Sequence, residues 1–103
     1  MRHIRYCIIL ASDEDRSRVD FETDHGEVVA LHVVQYEMSR EGEWLPVARY
    51  DTAHGFLHMD LYTVRGPVKY RIFVPDLSQA LTFALDDFKV NWRLYKHQFR
   101  GGR

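Results

Sequence analysis

Cysteine is almost missing from this sequence: Cys7 is the only one in 103 residues. A disulfide within the chain is therefore excluded, and so is a zinc site built on several thiolates. Proline and glycine are scarce, at three and six residues, which excludes collagen-like and low-complexity architectures. The apolar run Tyr6-Cys7-Ile8-Ile9-Leu10 is too short for a membrane span or a secretory signal, so a cytoplasmic location and no membrane partner are expected. There is no Gly-rich phosphate loop, no serine-nucleophile motif and no redox cysteine pair. Those absences argue against a nucleotide-dependent enzyme, a serine hydrolase and a thioredoxin-like protein, and no cofactor is expected. Charge of one sign is not in excess either. The net charge is −1, which gives no presumption of nucleic-acid binding.

What is present is ordinary globular material, 46% apolar and 28% charged, in a length that suits one domain spanning residues 1–103. Charge is unevenly placed. Residues 1–60 carry six Lys and Arg against twelve Asp and Glu; residues 61–103 carry eight against three. Such asymmetry permits an anionic partner on one face or head-to-tail self-association.

Residues 3–11, 17–23, 27–38, 43–51, 56–64 and 68–74 read as strands, rich in β-branched and aromatic residues. Asp13-Glu14-Asp15, Asp24-His25-Gly26, Ser39-Arg40-Glu41-Gly42, Asp51-Thr52-Ala53-His54-Gly55 and Arg65-Gly66-Pro67 read as the turns between them. Pro46 marks an edge or a bulge. Cys7, inside an apolar run, reads as a small core residue. Asp76 with Gln79 three residues on resembles a capping box. Beyond it Leu77, Leu81, Ala84, Leu85, Phe88, Trp92, Tyr95 and Phe99 recur at helical spacing, and Gly101-Gly102 ends the run. The expected fold is α+β: an antiparallel β-meander of five to six strands packed against one long C-terminal helix. A helix of this length, roughly 36 Å, lies diagonally on such a sheet or overhangs it. An overhang leaves Trp92, Tyr95 and Phe99 for a second copy to cover, so a homodimer through those residues is expected.

The densest group of reactive side chains is Arg49, Tyr50, Asp51, His54, His58 and Asp60. If Ala53-His54-Gly55 is a three-residue loop, Tyr50 sits opposite His58, and Tyr50, His58 and Asp60 share a polar face. A histidine beside a carboxylate serves as general acid or base, and an arginine stabilises charge on phosphate. The group would suit metal-independent RNA cleavage; the plain alternative is a hairpin that carries His and Asp outward for solubility. Asp51, His54, His58 and Asp60 are acceptable metal ligands, but the two histidines are not on one helix, and no metal is assigned. Lys89, Arg93, Lys96 and Arg100 form a basic line on the helix that could meet RNA or an acidic partner. The same cations also offset the helix dipole.

Trp44-x-Pro46-Val47-x-Arg49-Tyr50-Asp51-Thr52-Ala53-His54-Gly55-x-x-His58-x-Asp60, with Asp86-Asp87-Phe88 and Asn91-Trp92 later, resembles a group of small prokaryotic proteins described only as a domain of unknown function. More distantly it is similar to TumE-type toxins of toxin–antitoxin pairs. Those carry an Arg-Tyr-Asp strand, a glycine turn, a His-x-His pair and a late helix with Asp-Phe. Asp60 stands where the second histidine of that pair would be. The resemblance implies a cytoplasmic prokaryotic protein, encoded beside an antitoxin partner. The favoured expectation is a non-enzymatic domain that self-associates or binds a partner through its helix. The alternative is a toxin component acting on RNA.

Overall fold

The computed structural model describes residues 1–101. Six strands come first: β1 (Arg2–Ile9), β2 (Asp15–Asp24), β3 (Glu27–Arg40), β4 (Glu43–Asp51), β5 (His58–Thr63) and β6 (Gly66–Arg71). One helix follows, α1 (Leu77–Phe99). Every neighbouring pair is antiparallel, and the order across the sheet is the order along the chain. This is the expected α+β meander, with six strands.

Local chemistry explains the hairpins. His25 and Gly26 have φ of 51° and 81°, and Glu41 and Gly42 have 52° and 81°. Two successive left-handed residues make the two-residue turn whose twist matches the strands on either side. Pro46 sits at a bulge, not at an edge: Tyr36 pairs with Ala48 while Glu37 pairs with Pro46, so Val47 is the extra residue. Val47 and Ala48 are both buried. The last strand is shifted from its expected span of 68–74. It starts at Gly66, and beyond Arg71 the chain leaves the ladder after one more bond, Ile72 N–H to Leu57 O at 2.9 Å.

The helix begins where Asp76 Oδ1 accepts from the Gln79 N–H at 2.8 Å. Gly101, at φ 105°, turns the chain out of it; Gly102, the other half of the expected stop, lies outside the described residues. Ala80, Ala84, Phe88 and Trp92 are buried, and Leu77, Leu81, Leu85, Tyr95 and Phe99 pack beside them. They close over Val34 and Tyr36 of β3, Tyr50 of β4, and Met59 and Leu61 of β5. The Trp92 ring stands edge-on to Tyr36 at 6.0 Å, and Arg40 lies over Phe99 at 5.7 Å. Trp92, Tyr95 and Phe99 therefore face this chain's own sheet, not an overhang. No helix among the described residues is long and apolar enough to cross a membrane.

Cys7 departs from its expected place in the core: it is exposed. It alternates with Tyr6 and Ile8 on β1, so it points to the face away from the helix, beside His3 and Arg5. β1 is an outer strand, and no further strand among the described residues pairs with its free edge.

Candidate functional site

The sheet has two unlike faces. One is the greasy wall under α1. The other carries a polar ladder, because side chains alternate along each strand and the register carries the alternation across. Arg18, Gln35, Arg49, Asp60 and Lys69 are successive partners from β2 to β6. Asp51, His58 and Arg71 form the next row. Upstream, Glu37 accepts from Arg16 Nε at 2.9 Å, Arg18 Nε at 3.1 Å and Gln35 Nε2 at 2.6 Å. Arg16 in turn stacks on Trp44, 3.9 Å from the ring centre. Gln35, Glu37, Asp51 and His58 are all buried, although the helix lies on the opposite face. Their neighbours in the ladder cover them. Burial pulls the Glu37 carboxyl up, but the hydrogen bonds from Gln35, Arg16 and Arg18 outweigh it and hold the carboxyl below its ordinary range.

At one end of this face the β4–β5 connection builds the candidate site. The connection runs from Thr52 to Leu57. Ala53 N–H donates to Asp51 Oδ1 at 3.1 Å, and Gly55 N–H to Thr52 O at 3.0 Å. The Thr52 hydroxyl ties the bend to β3 by donating to Leu31 O at 2.8 Å. Gly55 takes φ 82°, which side chains resist. Asp51 is the pivot. Its Oδ2 accepts from Arg49 Nε at 3.0 Å, and its Oδ1 lies 2.9 Å from His58 Nε2. His58 Nδ1 is buried and has no hydrogen-bond partner. The exposed His54 ring sits over it, 5.4 Å between centroids, with Phe56 at 5.8 Å.

His54, Phe56, His58, Lys69, Tyr70 and Arg71 line a groove of about 460 Å³, within the range of small-ligand sites. Arg71 stacks on Phe56 at 4.2 Å, and Lys69 reaches Asp60 at 3.1 Å. No carboxylate lines the groove itself.

The structure brings together Arg49, Asp51, His54, His58 and Asp60 from the expected set and removes Tyr50. The bend is longer than the three residues expected, so the register differs by one: Tyr50 pairs with Met59, and Asp51 with His58. A one-residue shift turns a side chain to the other face. Tyr50 is buried beneath the helix, its hydroxyl donating to Asp87 Oδ2 at 2.6 Å. Burial, then the bond to Asp87, push its phenol well above the ordinary range, so it is no proton donor near neutrality. Tyr95 also donates to Asp87, at 2.7 Å, as does Asn91 Nδ2 at 2.7 Å. Phe56, Lys69, Tyr70 and Arg71 are the groove residues the sequence reading passed over. Lys69 and Arg71 share parity with Asp60 and His58 once the register is known.

The basic line on the helix is broken. Lys89, Arg93 and Arg100 are exposed, but Lys96 Nζ reaches the buried Asp15 at 3.2 Å. Arg93 stacks on Trp92 at 4.5 Å. Of the candidate ligands for a cation, Asp51, His58 and Asp60 each offer an atom within 4.8 Å of the others; His54 stands apart from that set.

Compared with known families, the whole chain, residues 1–103, matches the one described as Domain of unknown function (DUF7718). No curated protein and no solved structure matches it.

Proposed function

The chain belongs to this family of unknown function, and we propose that it binds RNA in the groove between the 52–57 bend and β6 and acts on the bound phosphodiester. The observation that carries the reading is the state of His58: set against Asp51 at one nitrogen, buried and without a partner among the described residues at the other, and bordered by His54, Lys69 and Arg71. Phosphate finds cations there and no lining carboxylate. Bases find Phe56 as a stacking surface beside those cations, the pairing of aromatic and cation on which single-stranded nucleic acid is held. Two imidazoles side by side supply an acid and a base without a metal. One takes the proton from a 2′-hydroxyl as its oxygen attacks phosphorus. The other protonates the departing 5′-oxygen, leaving a 2′,3′-cyclic phosphate and a 5′-hydroxyl. Asp51 keeps His58 oriented, and Arg49 keeps Asp51 in place. The likeness of the Arg49-Tyr50-Asp51 strand, Gly55 turn and His58 to TumE-type toxins points the same way, to a cytoplasmic toxin component with an antitoxin partner.

The test is binding and cleavage of a fluorescent single-stranded RNA in EDTA. The expected result is saturable binding that Lys69→Glu with Arg71→Glu weakens tenfold or more, and cleavage that His54→Ala or His58→Ala abolishes. Binding without cleavage would remove the acid–base step. No binding, together with harmless overexpression in a bacterial host, would overturn the reading.

A second reading, association through the helix, has its own support. Phe83, Val90 and Leu94 lie on one line of α1 and are 42%, 72% and 53% exposed. This is a different flank of the helix from Trp92, Tyr95 and Phe99, and it offers a second copy an apolar surface.

A further inference from the structure

A second histidine cluster lies on the same polar face, at the β1 end of the sheet and outside the groove. His3 on β1, Asp20 and Glu22 on β2, and His32 on β3 converge there. His3 Nε2 contacts Asp20 Oδ1, and His32 Nε2 lies 2.6 Å from Glu22 Oε2. The two imidazole rings are 5.6 Å apart. His3, Asp20 and His32 each bring a ligand atom within 4.8 Å of the other two.

The way His32 reaches this face is specific. Asp20 pairs with Val33 and Phe21 with Leu31, so His32 is the extra residue of a bulge. A bulge leaves one residue out of the pairing, bends its strand locally and re-aims that side chain. Here it releases an imidazole toward β2 from a strand whose neighbours, Leu31 and Val33, are buried. Asp20 is also prepared. Its Oδ2 accepts from Arg5 Nε at 3.3 Å, which leaves Oδ1 facing His3. A carboxylate held by one oxygen and free at the other is the usual support for a one-oxygen metal ligand.

We propose that His3, His32 and Asp20 form a surface site for a divalent transition-metal ion of the zinc class. Two imidazole nitrogens and one carboxylate oxygen are the ligand types such ions prefer over magnesium or calcium. Ligand bonds of about 2.0–2.2 Å need only side-chain rotation to close the present spacing. Glu22 stands beside His32 for the fourth position, or water fills it. The ion would link β1 to β3 across β2, fastening the outer strand to the sheet.

The experiment is calorimetric titration of the untagged protein with zinc chloride, and separately with magnesium chloride. The imidazole NMR signals are followed in parallel. The expected result is one zinc ion per chain, no magnesium binding, and shifts confined to His3 and His32. His3→Ala, His32→Ala and Asp20→Asn should each weaken zinc binding about tenfold or more, with circular dichroism unchanged. The His54→Ala/His58→Ala double variant should bind zinc as the parent does. No saturable binding overturns the proposal, as does binding that survives His3→Ala and His32→Ala. The groove residues take no part, so this result and the RNA result stand or fall separately.

Discussion

Glu37 is the residue on which the polar face is hung. Two arginines and a glutamine converge on a buried carboxylate, and the arginines reach it from the strand next door. Its acidity is raised relative to a free side chain, which fixes the sign of its pH dependence. Folded-state pKa lies below the unfolded value, so the stabilisation is whole above the ordinary glutamate range, near 4.5, and is lost as pH falls below it. Glu37→Gln should therefore cost about 1–3 kcal/mol at pH 7, toward the lower end because the arginine tips reach solvent. The deficit should narrow as pH is lowered from neutrality through and below the ordinary glutamate range. Urea denaturation across that range measures it, and a constant deficit would show that the charge contributes nothing.

At the scale of elements, the helix is started by a residue outside the core. Asp76 satisfies one of the amide groups that a first turn leaves without a partner. Asp76→Ala should lower stability by about 0.5–2 kcal/mol, read as a shift in the denaturation midpoint with an unchanged slope. The boundaries of this helix and the places of the turns were legible because each is written in local residue types and spacing. The pairing of Asp51 with His58 was not read, though a signal existed. Setting the greasy residues of two strands against each other places Tyr50 opposite Met59, and the histidine then falls beside Asp51. Two other features lie beyond any local pattern. That Cys7 lies in solvent depends on which face of the outer strand β1 the rest of the molecule covers. That His32 is a bulge residue depends on the length of β3 relative to β2.

At the scale of the whole molecule, the proposed groove and the apolar core lie on opposite sides of one sheet. The helix side holds the apolar core, with Asp15 and Asp87 held in hydrogen bonds to Tyr36 and Tyr50 beneath α1; the other side carries a ladder of charged and polar side chains that ends in a groove. The helix flank carrying Phe83, Val90 and Leu94 presents apolar surface to solvent. If that flank mediates association, light scattering at increasing protein concentration should show a rising mass, and Val90→Glu with Leu94→Glu should return it to that of one chain. A constant mass of one chain at every concentration would leave the flank as surface. Neither substitution touches the groove, so RNA binding should be unaffected.

Because α1 follows β1 to β6 in the chain, a ribosome finishes all six strands before it makes their cover. During that interval Val34, Tyr36, Tyr50 and Met59 have nothing over them. A message cut short after residue 75 would thus yield an adhesive half-product, one that sticks to its siblings, instead of a weakened version of the finished molecule.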